Sequence, residues 1–132
     1  MNQLVTLFLF AFIIPALPTY AQNKIKFSDI KAGMRNEGIE RQALWLANER
    51  ATNLHWLAEY KKAKIISDKW QVVGSDPEEP ICRIIHIELY CEKQDGDCEM
   101  SDFTFREKFK DGKYQHKLLF LNAGDFIHVD CE

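Results

Sequence analysis

Cysteine and histidine are the residue types of this chain whose side chains could carry chemistry, and the sequence contains four of each. A cysteine nucleophile needs a nearby base, and His86, His116 and His128 are the candidate partners. All three histidines fall in alternating strand-like patterns, where a solvated or hydrogen-bonded surface histidine is the simpler interpretation. No cysteine-peptidase signature surrounds any of the cysteines. The sequence therefore favours structural cysteines and predicts a protein that is not an enzyme.

An even number of cysteines in a secreted chain predicts disulfides, here two of them. Cys82, Cys91, Cys98 and Cys131 allow three pairings, and the sequence alone does not choose among them. A polar turn containing Asp-Gly separates Cys91 from Cys98. A local Cys91–Cys98 bridge that closes this turn is therefore the simplest to draw.

The spacing of the possible ligands argues against a metal ion or another cofactor. Zinc sites need close-set cysteine pairs with a second pair or histidines nearby, and no such spacing exists here. The stretch 92–99 is acidic, but it lacks the spaced ligand series of an EF-hand loop, so a solvated turn is the simpler interpretation. No phosphate-binding or dinucleotide-binding glycine motif is present.

The first 21 residues predict a cleaved signal peptide. Residues 1–21 contain no Lys, Arg, Asp or Glu, residues 4–14 are almost entirely apolar, and Ala21 supplies the small residue at a cleavage point. The apolar run is shorter than the roughly 20 residues that a bilayer core requires, so no membrane span is expected. We therefore expect a secreted, extracellular domain over residues 22–132.

That domain has about 110 residues, which is enough for a single core, and a formal net charge of −3. A nucleic-acid binder would show clustered Lys and Arg, and this chain does not. Nucleic acid is therefore excluded as a partner.

A long amphipathic segment from Asn36 to about Tyr60 predicts the helix around which the chain is organised. Asn36 can cap its start, and Glu37 and Glu40 place negative charge at the positive end of the helix dipole. At 100° per residue, one sector collects the apolar side chains Ile39, Ala43, Leu46, Ala47, Ala51, Leu54, Leu57 and Ala58. A helix with one apolar stripe needs a flat surface to lie on.

The rest of the chain predicts that surface, because its apolar residues alternate as in strands. Beside a short strand at Ile25 and Phe27, we expect strands over Ala63–Val73, Ile81–Tyr90, around Phe103–Phe109, Tyr114–Leu121 and Phe126–Cys131. The proline-rich stretch 74–80 predicts a turn, Asn122–Asp125 predicts a hairpin turn, and Asp111-Gly112 is a further turn candidate. The predicted fold is α+β, with one long helix packed across a curved antiparallel sheet of four to five strands.

The order of these features resembles the secreted (type 2) cystatin family. The residues that carry the resemblance are the helix start 36–41 (NEGIER), the stretch 64–69 (KIISDK) and the following Gln71-Val72-Val73-Gly74, together with Cys91, Cys98 and Cys131. The resemblance implies a sheet wrapped around one helix. It also implies tight, reversible inhibition of papain-like cysteine peptidases, which would be the partner.

The family blocks its target with a trunk glycine, a Q-x-V-x-G hairpin and a second hairpin that carries Pro-Trp. On this pattern the predicted peptidase-binding residues are Gln71, Val72, Val73 and Gly74 in the first hairpin and Asn122, Ala123 and Gly124 in the second. The chain departs from the pattern at three points. The closing glycine falls on Ser75, Gly33 is the nearest match to the trunk glycine, and no Pro-Trp is present.

The cysteines also depart from the family, which pairs its last cysteine with one on the fourth strand. In the predicted sheet Cys82 lies near the first hairpin, whereas Cys131 and the 91–98 turn lie near the other end. Nine strand residues between Cys82 and Cys91 span about 30 Å, which is far beyond disulfide reach. Either Cys82 pairs with Cys131 in an altered arrangement, or one cysteine is free or intermolecular.

Two functions from different classes therefore follow from the sequence. The first is a secreted inhibitor that acts as a reversible hairpin wedge, as a monomer or a strand-exchanged dimer. The second is a non-inhibitory extracellular binding protein, for which Trp45 and Trp56 offer an aromatic face if they are exposed rather than packed. A ligand carrier would need a pocket between helix and sheet, which the bulky core residues disfavour.

Overall fold

The structure, a computed structural model, describes residues 25–132, and the predicted signal peptide over 1–21 lies outside them. One helix packs against a strongly curled antiparallel sheet, which confirms the predicted α+β class. After a 3₁₀ turn (Phe27–Asp29), the elements are helix α1 (Glu37–Asn53) and strands β1 (Ala58–Ile65), β2 (Gln71–Val73), β3 (Cys82–Lys93), β4 (Cys98–Lys110), β5 (Lys113–Ala123) and β6 (Ile127–Val129).

Helix α1 begins where the sequence predicts. The Asn36 side-chain oxygen accepts a hydrogen bond from the backbone N–H of Ile39 at 3.1 Å, which satisfies one of the free donors at the helix start. Glu37 and Glu40 both lie in the first turn, as expected for the positive end of the dipole. The predicted cap is therefore confirmed.

The helix ends earlier than predicted, at Asn53 rather than near residue 60. His55 adopts a left-handed conformation with φ of 55°, and it donates a hydrogen bond to the Thr52 carbonyl at 3.2 Å. The next residue, Trp56, donates back to the Ala51 carbonyl at 2.8 Å. These two bonds form a Schellman motif, in which the left-handed residue is usually glycine. Because a histidine and not a glycine occupies the left-handed position, the sequence gives no signal that the helix ends here.

Of the predicted apolar stripe, three alanines are the members that the helix buries against the sheet. Ala43, Ala47 and Ala51 are at most 2% exposed, whereas Leu54 and Leu57 are 45% and 63% exposed. Small side chains let the helix lie close to the sheet, where the facing residues are large. Those facing residues include Phe103, Phe105, Ile85, Ile87 and Leu89. In the core, small side chains of the helix therefore pack against large side chains of the sheet.

The sheet has six strands, rather than the four to five predicted, and they form four rows with β3 and β4 in the centre. β1 and β2 follow one another along β3, so the strand predicted over 63–73 is two strands separated by residues 66–70. That link bonds elsewhere, because the Ser67 hydroxyl accepts from the His86 N–H and the Ser67 carbonyl accepts from the Met34 N–H.

The hairpin predicted at Asn122–Asp125 is wrong. β5 and β6 both pair antiparallel with β4, so they run in the same direction along one edge. β5 continues through Asn122, which lies opposite Thr104, and Ala123, which lies opposite Phe103. The turn that reverses the chain into β5 is Asp111-Gly112, between the paired residues 110 and 113. The residues Asn122–Asp125 therefore do not reverse the chain, and they lie where β5 passes into the link to β6 along the edge of β4.

The N-terminal part of the described chain is not the predicted short strand. Phe27 packs against the Tyr90 ring, with centroids 5.7 Å apart, on the face of the sheet away from the helix. The ammonium group of Lys64 donates to the carbonyls of Phe27 and Ile30 at 3.0 and 2.7 Å. These carbonyls bond to a side chain instead of a strand, so the segment forms a 3₁₀ turn over a second apolar cluster.

The single disulfide among residues 25–132 joins Cys98 to Cys131, so the predicted local Cys91–Cys98 bridge is wrong. Directly paired residues of antiparallel strands point to the same face. Cys91 lies opposite Glu99 and faces the helix, whereas Cys98 lies opposite Val129 and faces the outer cluster. The two thiols are therefore on opposite faces. Of the options left open for Cys82, the structure has the free one, and Cys91 is likewise free and buried.

Within the part of the chain that the structure describes, no helix combines the length and the apolar character needed to cross a bilayer.

The disulfide assignment predicts the outcome of peptide mapping. If the oxidised protein is unfolded and alkylated without reductant, Cys82 and Cys91 should be modified and Cys98 and Cys131 should be recovered as one linked pair. Reduction should lower the free energy of unfolding by about 3–4 kcal/mol, because the bridge closes a loop of 33 residues. A linked pair that contains Cys82 or Cys91 would contradict the register of the sheet.

The alanine stripe predicts that Ala47→Leu is destabilising although leucine is an excellent helix former. Ala47 is 1% exposed, so the added atoms push the helix off the sheet at a cost of about 1–3 kcal/mol. The matched control is Glu49→Leu on the exposed face of the same helix, which should change stability by less than about 0.5 kcal/mol. Urea unfolding measures both, and equal effects would show that the helix does not lie on its alanines.

Candidate functional site at the turn end of the sheet

Two reverse turns lie side by side at one end of the sheet, which we name the turn end. The first turn, residues 74–81, joins β2 to β3, and the second, Asp111-Gly112, joins β4 to β5. Their adjacency follows from the β3–β4 register, in which Cys82 lies opposite Lys108. The Phe109 N–H also donates to the Ile81 carbonyl at 3.2 Å. The turn end is therefore one continuous surface.

The first turn is rigidly built. Its base is closed by the Ile81 N–H, which donates to the Val73 carbonyl at 2.8 Å. Gly74 has φ of 137°, and a Cβ at this position would lie 3.1 Å from the Ile81 nitrogen, so only glycine fits. Inside the turn, the Asp76 carboxylate accepts a hydrogen bond from the Glu78 N–H at 2.9 Å. The turn therefore presents a defined backbone shape.

The second turn is the tightest possible hairpin connection. Asp111 and Gly112 have φ of 53° and 74°, and both lie in the left-handed region. Two such residues form a type I′ turn, which matches the twist of the flanking strands and favours Asp-Gly. At its base, the rings of Phe109 and Tyr114 meet edge to face with centroids 5.1 Å apart. This cross-strand pair stabilises the hairpin.

A buried ion pair holds the two turns together from the helix side. The Glu107 side chain is only 4% exposed, and its two carboxylate oxygens lie 3.1 and 3.2 Å from one guanidinium nitrogen of Arg83. The guanidinium lies between two rings, 4.0 Å from the Trp70 centroid and 4.1 Å from that of Tyr114. The His116 N–H also donates to Glu107 at 3.0 Å. One network thus links the residue before β2 with β3, β4 and β5.

The helix contributes to the same end through Gln42. Its side-chain oxygen accepts from the Leu118 N–H at 3.1 Å, and its nitrogen lies 3.5 Å from the His116 carbonyl. His116 has φ of 55° at an irregularity in the β4–β5 pairing. Gln42 therefore satisfies backbone groups that the irregular strand leaves free.

The surface of the turn end combines exposed apolar side chains with opposite charges. Val72 is 53% exposed and Ile81 is 69% exposed, which is unusual for β-branched residues next to a core. The first turn carries the acidic residues Asp76, Glu78 and Glu79, and the second is flanked by the basic residues Lys108, Lys110 and Lys113. The two turns are therefore complementary in charge.

The structure brings together only part of the predicted site. Gln71–Val73 form β2 and Gly74 begins the first turn, so these four residues lie at the turn end. Asn122–Gly124 do not, because Gly124 donates its N–H to the Asp102 carbonyl at 2.7 Å. Asp102 lies six positions from Lys108 along β4, which is about 20 Å of strand. The predicted second tip is therefore far from the first.

The glycine nearest to the family's trunk position also has another role. Gly33 donates its N–H to the Ile65 carbonyl at 2.8 Å, and a Cβ there would lie 2.2 Å from the Ser67 carbonyl oxygen. Ser67 bonds to His86, which lies four positions from Cys82 along β3. Gly33 therefore lets its own backbone pass close to that of Ser67, in the link between β1 and β2. This contact lies midway along the sheet and away from the turn end.

The predicted site did not include Ile81. A signal for its exposure was present, because Arg83, two residues further along the same alternating series, is charged. A charged residue at position 83 indicates that this face of β3 no longer contacts the apolar core near the turn end. The Asp111-Gly112 dipeptide was also a stronger hairpin signal than Asn122–Asp125.

Two observations concern metal ligation and the reactivity of Cys91. Among residues 25–132, no group of three or more His, Cys, Asp or Glu side chains is arranged to hold a metal ion. Burial raises the pKa of the Cys91 thiol to about 11, with a further contribution from the Glu99 carboxylate. A raised pKa keeps this sulfur as a neutral thiol, which is the opposite of an activated nucleophile.

The buried pair predicts that Arg83→Met is strongly destabilising. Removing the guanidinium leaves the Glu107 carboxylate buried and without its cation, which costs about 3–5 kcal/mol in such sites. Arg83→Lys keeps the charge but loses the stacking between the two rings, so it should lie in between. Arg41→Met, an exposed arginine on α1, is the matched control and should change stability by less than about 0.5 kcal/mol. Similar unfolding midpoints for Arg83→Met and Arg41→Met would show that the Arg83–Glu107 network does not stabilise the fold.

Comparison with known proteins adds no family to this geometry. No family model matches the chain, no curated protein matches it, and no solved structure matches it. The likeness to cystatins therefore stays a resemblance carried by the residues and the layout named above.

Proposed function

We propose that this chain is a secreted, cystatin-like inhibitor of papain-like cysteine peptidases, and that the turn end of its sheet enters the active-site cleft. The observation that carries the proposal is the adjacency of the two turns, in which the Phe109 N–H donates to the Ile81 carbonyl at 3.2 Å. A wedge needs its tips side by side, and these two are joined by the sheet itself.

The proposed wedge differs from the sequence-based one in its second tip. Asp111-Gly112 replaces Asn122–Gly124, because only the former turn lies beside the first hairpin. The first tip keeps Gln71–Val73 and Gly74, with Val72 and Ile81 as the exposed apolar contacts. Tight turns offer backbone and small apolar side chains to a cleft without presenting a bond in position for cleavage.

Rigidity of the turn end supports the same proposal. The ion pair between Arg83 and Glu107 links the two turns, and the hydrogen bond from the Ile81 N–H to the Val73 carbonyl closes the first one, so both are shaped before any partner binds. A surface that is already ordered loses less conformational entropy on binding. A reversible inhibitor without a covalent step depends on this advantage.

A second candidate, the non-inhibitory binding protein, is favoured by a different observation. The Ser28 N–H donates to the Glu132 carboxylate at 3.0 Å, and Lys64 donates to the carbonyls of Phe27 and Ile30. These contacts hold the N-terminal segment on the outer face of the sheet, away from the turn end. The wedge then consists of two parts, whereas the resemblance implies three.

Papain inhibition by the protein secreted from cells that express the full chain tests the proposal. We expect reversible inhibition that Val72→Asp weakens at least tenfold, because a carboxylate on the exposed β2 residue would lose its water inside the cleft. The matched control is Ile127→Asp, which places the same charge on a similarly exposed residue of β6, at the opposite end of β4.

The contradicting results are equally specific. Absence of inhibition at micromolar concentration, from a sample with a cooperative unfolding transition, would leave the binding protein as the function. Equal weakening by Val72→Asp and Ile127→Asp would show that inhibition does not involve the turn end.

A further inference from the structure

The turn end carries two groups of exposed charged side chains that form no ion pair within the described part of the chain. The acidic group belongs to the first turn, and the basic group belongs to the second turn and the strands that it joins. The acidic group consists of Asp76, Glu78 and Glu79, and the basic group consists of Lys108, Lys110 and Lys113. Elsewhere on the surface, Lys61 and Lys93 do have carboxylate partners, at 3.2 Å each. The charges of the turn end are therefore available to a partner.

The order of the strands places these two groups on either side of one exposed apolar residue. At the turn end the strands lie in the order β2, β3, β4 and β5, so the first turn spans one half of the edge and the second turn spans the other. Ile81 lies where the halves meet, because its carbonyl accepts the hydrogen bond from the Phe109 N–H. It is 69% exposed. The surface is therefore acidic on one side, apolar in the centre and basic on the other side.

A surface with this arrangement is complementary to itself. A second copy can meet the first end to end, related by a two-fold axis that is normal to the sheet and passes beside Ile81. That rotation exchanges the two sides, so each acidic group lies opposite the basic group of the other copy, and the two isoleucines face one another. Two-fold dimers use the same patch on both copies in this way. An apolar centre with a polar rim is also the usual composition of a protein interface.

The basic group contains a contact between like charges that a second copy would relieve. Lys110 and Lys113 lie directly opposite one another at the base of the second turn. Like charges in this position destabilise a hairpin, and Asp111 is the only acidic residue in the turn that joins them. The acidic group of a second copy brings three carboxylates to this site. An unfavourable contact within one chain thereby becomes a favourable contact between two chains.

We propose that this chain forms a two-fold dimer through its turn end, in which the acidic group of each copy contacts the basic group of the other. No strand is exchanged, so this dimer differs from the strand-exchanged one that the sequence suggested. The contact covers Ile81 and both turns. One consequence rests on the proposed function: a copy within the dimer cannot offer the same surface to a peptidase, so the dimer is a form without inhibitory activity.

Sedimentation equilibrium of the purified protein, without any peptidase, tests the dimer independently of inhibition. We expect a monomer–dimer equilibrium whose dissociation constant rises at least about tenfold between roughly 50 mM and 500 mM NaCl, because salt screens exposed charge pairs. The double variant Lys110→Glu/Lys113→Glu makes both groups acidic, and Glu78→Lys/Glu79→Lys makes both basic. Each variant alone should be monomeric. All four side chains are exposed, so both variants should keep a cooperative unfolding transition.

Mixing the two variants tests the contact itself. An equimolar mixture should form a dimer again, because each group then faces the opposite charge on the other chain. The matched control is Lys26→Glu/Lys31→Glu, which makes the same change of net charge in the N-terminal segment, away from the turn end, and should dimerise as the parent does. A parent that stays monomeric up to about 1 mM in the low salt would overturn the proposal. So would a mixture that stays monomeric, or a control that loses the dimer as fully as Lys110→Glu/Lys113→Glu does.

Discussion

The register between β3 and β4 is the constraint on which the rest of the structure depends. These two strands pair without interruption from Cys82 opposite Lys108 to Glu92 opposite Cys98. Because side chains alternate between the two faces of a sheet, this one register assigns every residue of both strands to the helix or to the outer face. A shift by one residue would exchange the core phenylalanines with charged residues.

The consequences of that register reach both ends of the molecule. It places Arg83 opposite Glu107, so the pair that holds the two turns becomes possible only in this alignment. It directs Cys98 outward, where Cys131 reaches it, and directs Cys91 inward, where it remains a thiol. Helix α1 reaches the turn end through Gln42 but stops at Asn53, short of the other end of this ladder. One end of the sheet therefore carries the two linked turns, and the other carries an open cavity lined in part by Trp56, Leu57 and Phe126.

The sequence predicted the parts of the fold that follow from local signals. The α+β class, the cap at Asn36 and the turn after Val73 come from periodicity, capping chemistry and prolines. Features without a local sequence signal were missed. The helix stops because His55 adopts a left-handed conformation that carries no sequence mark. The disulfide depends on strand register, which the spacing of cysteines does not contain.

The candidate site, too, was predicted only in part. Gln71–Gly74 were predicted from their resemblance to the family's first hairpin, whereas the second tip was placed on the later of the two turn signals that follow β4. Only the pairing of Asn122 with Thr104 shows that β5 continues past residue 121 and that the second signal is no hairpin. The cavity was beyond prediction as well, since it results from the early end of the helix. An apolar stripe that continues through Leu57 had placed those side chains against the sheet.

The proposal that the turn end meets a peptidase can be tested by amide hydrogen exchange of this protein, free and bound to a papain whose catalytic cysteine is blocked. We expect added protection in residues 72–81 and 109–114, and unchanged exchange in residues 54–60. Protection confined to residues 54–60 and Phe126, or none anywhere at saturating papain, would contradict it.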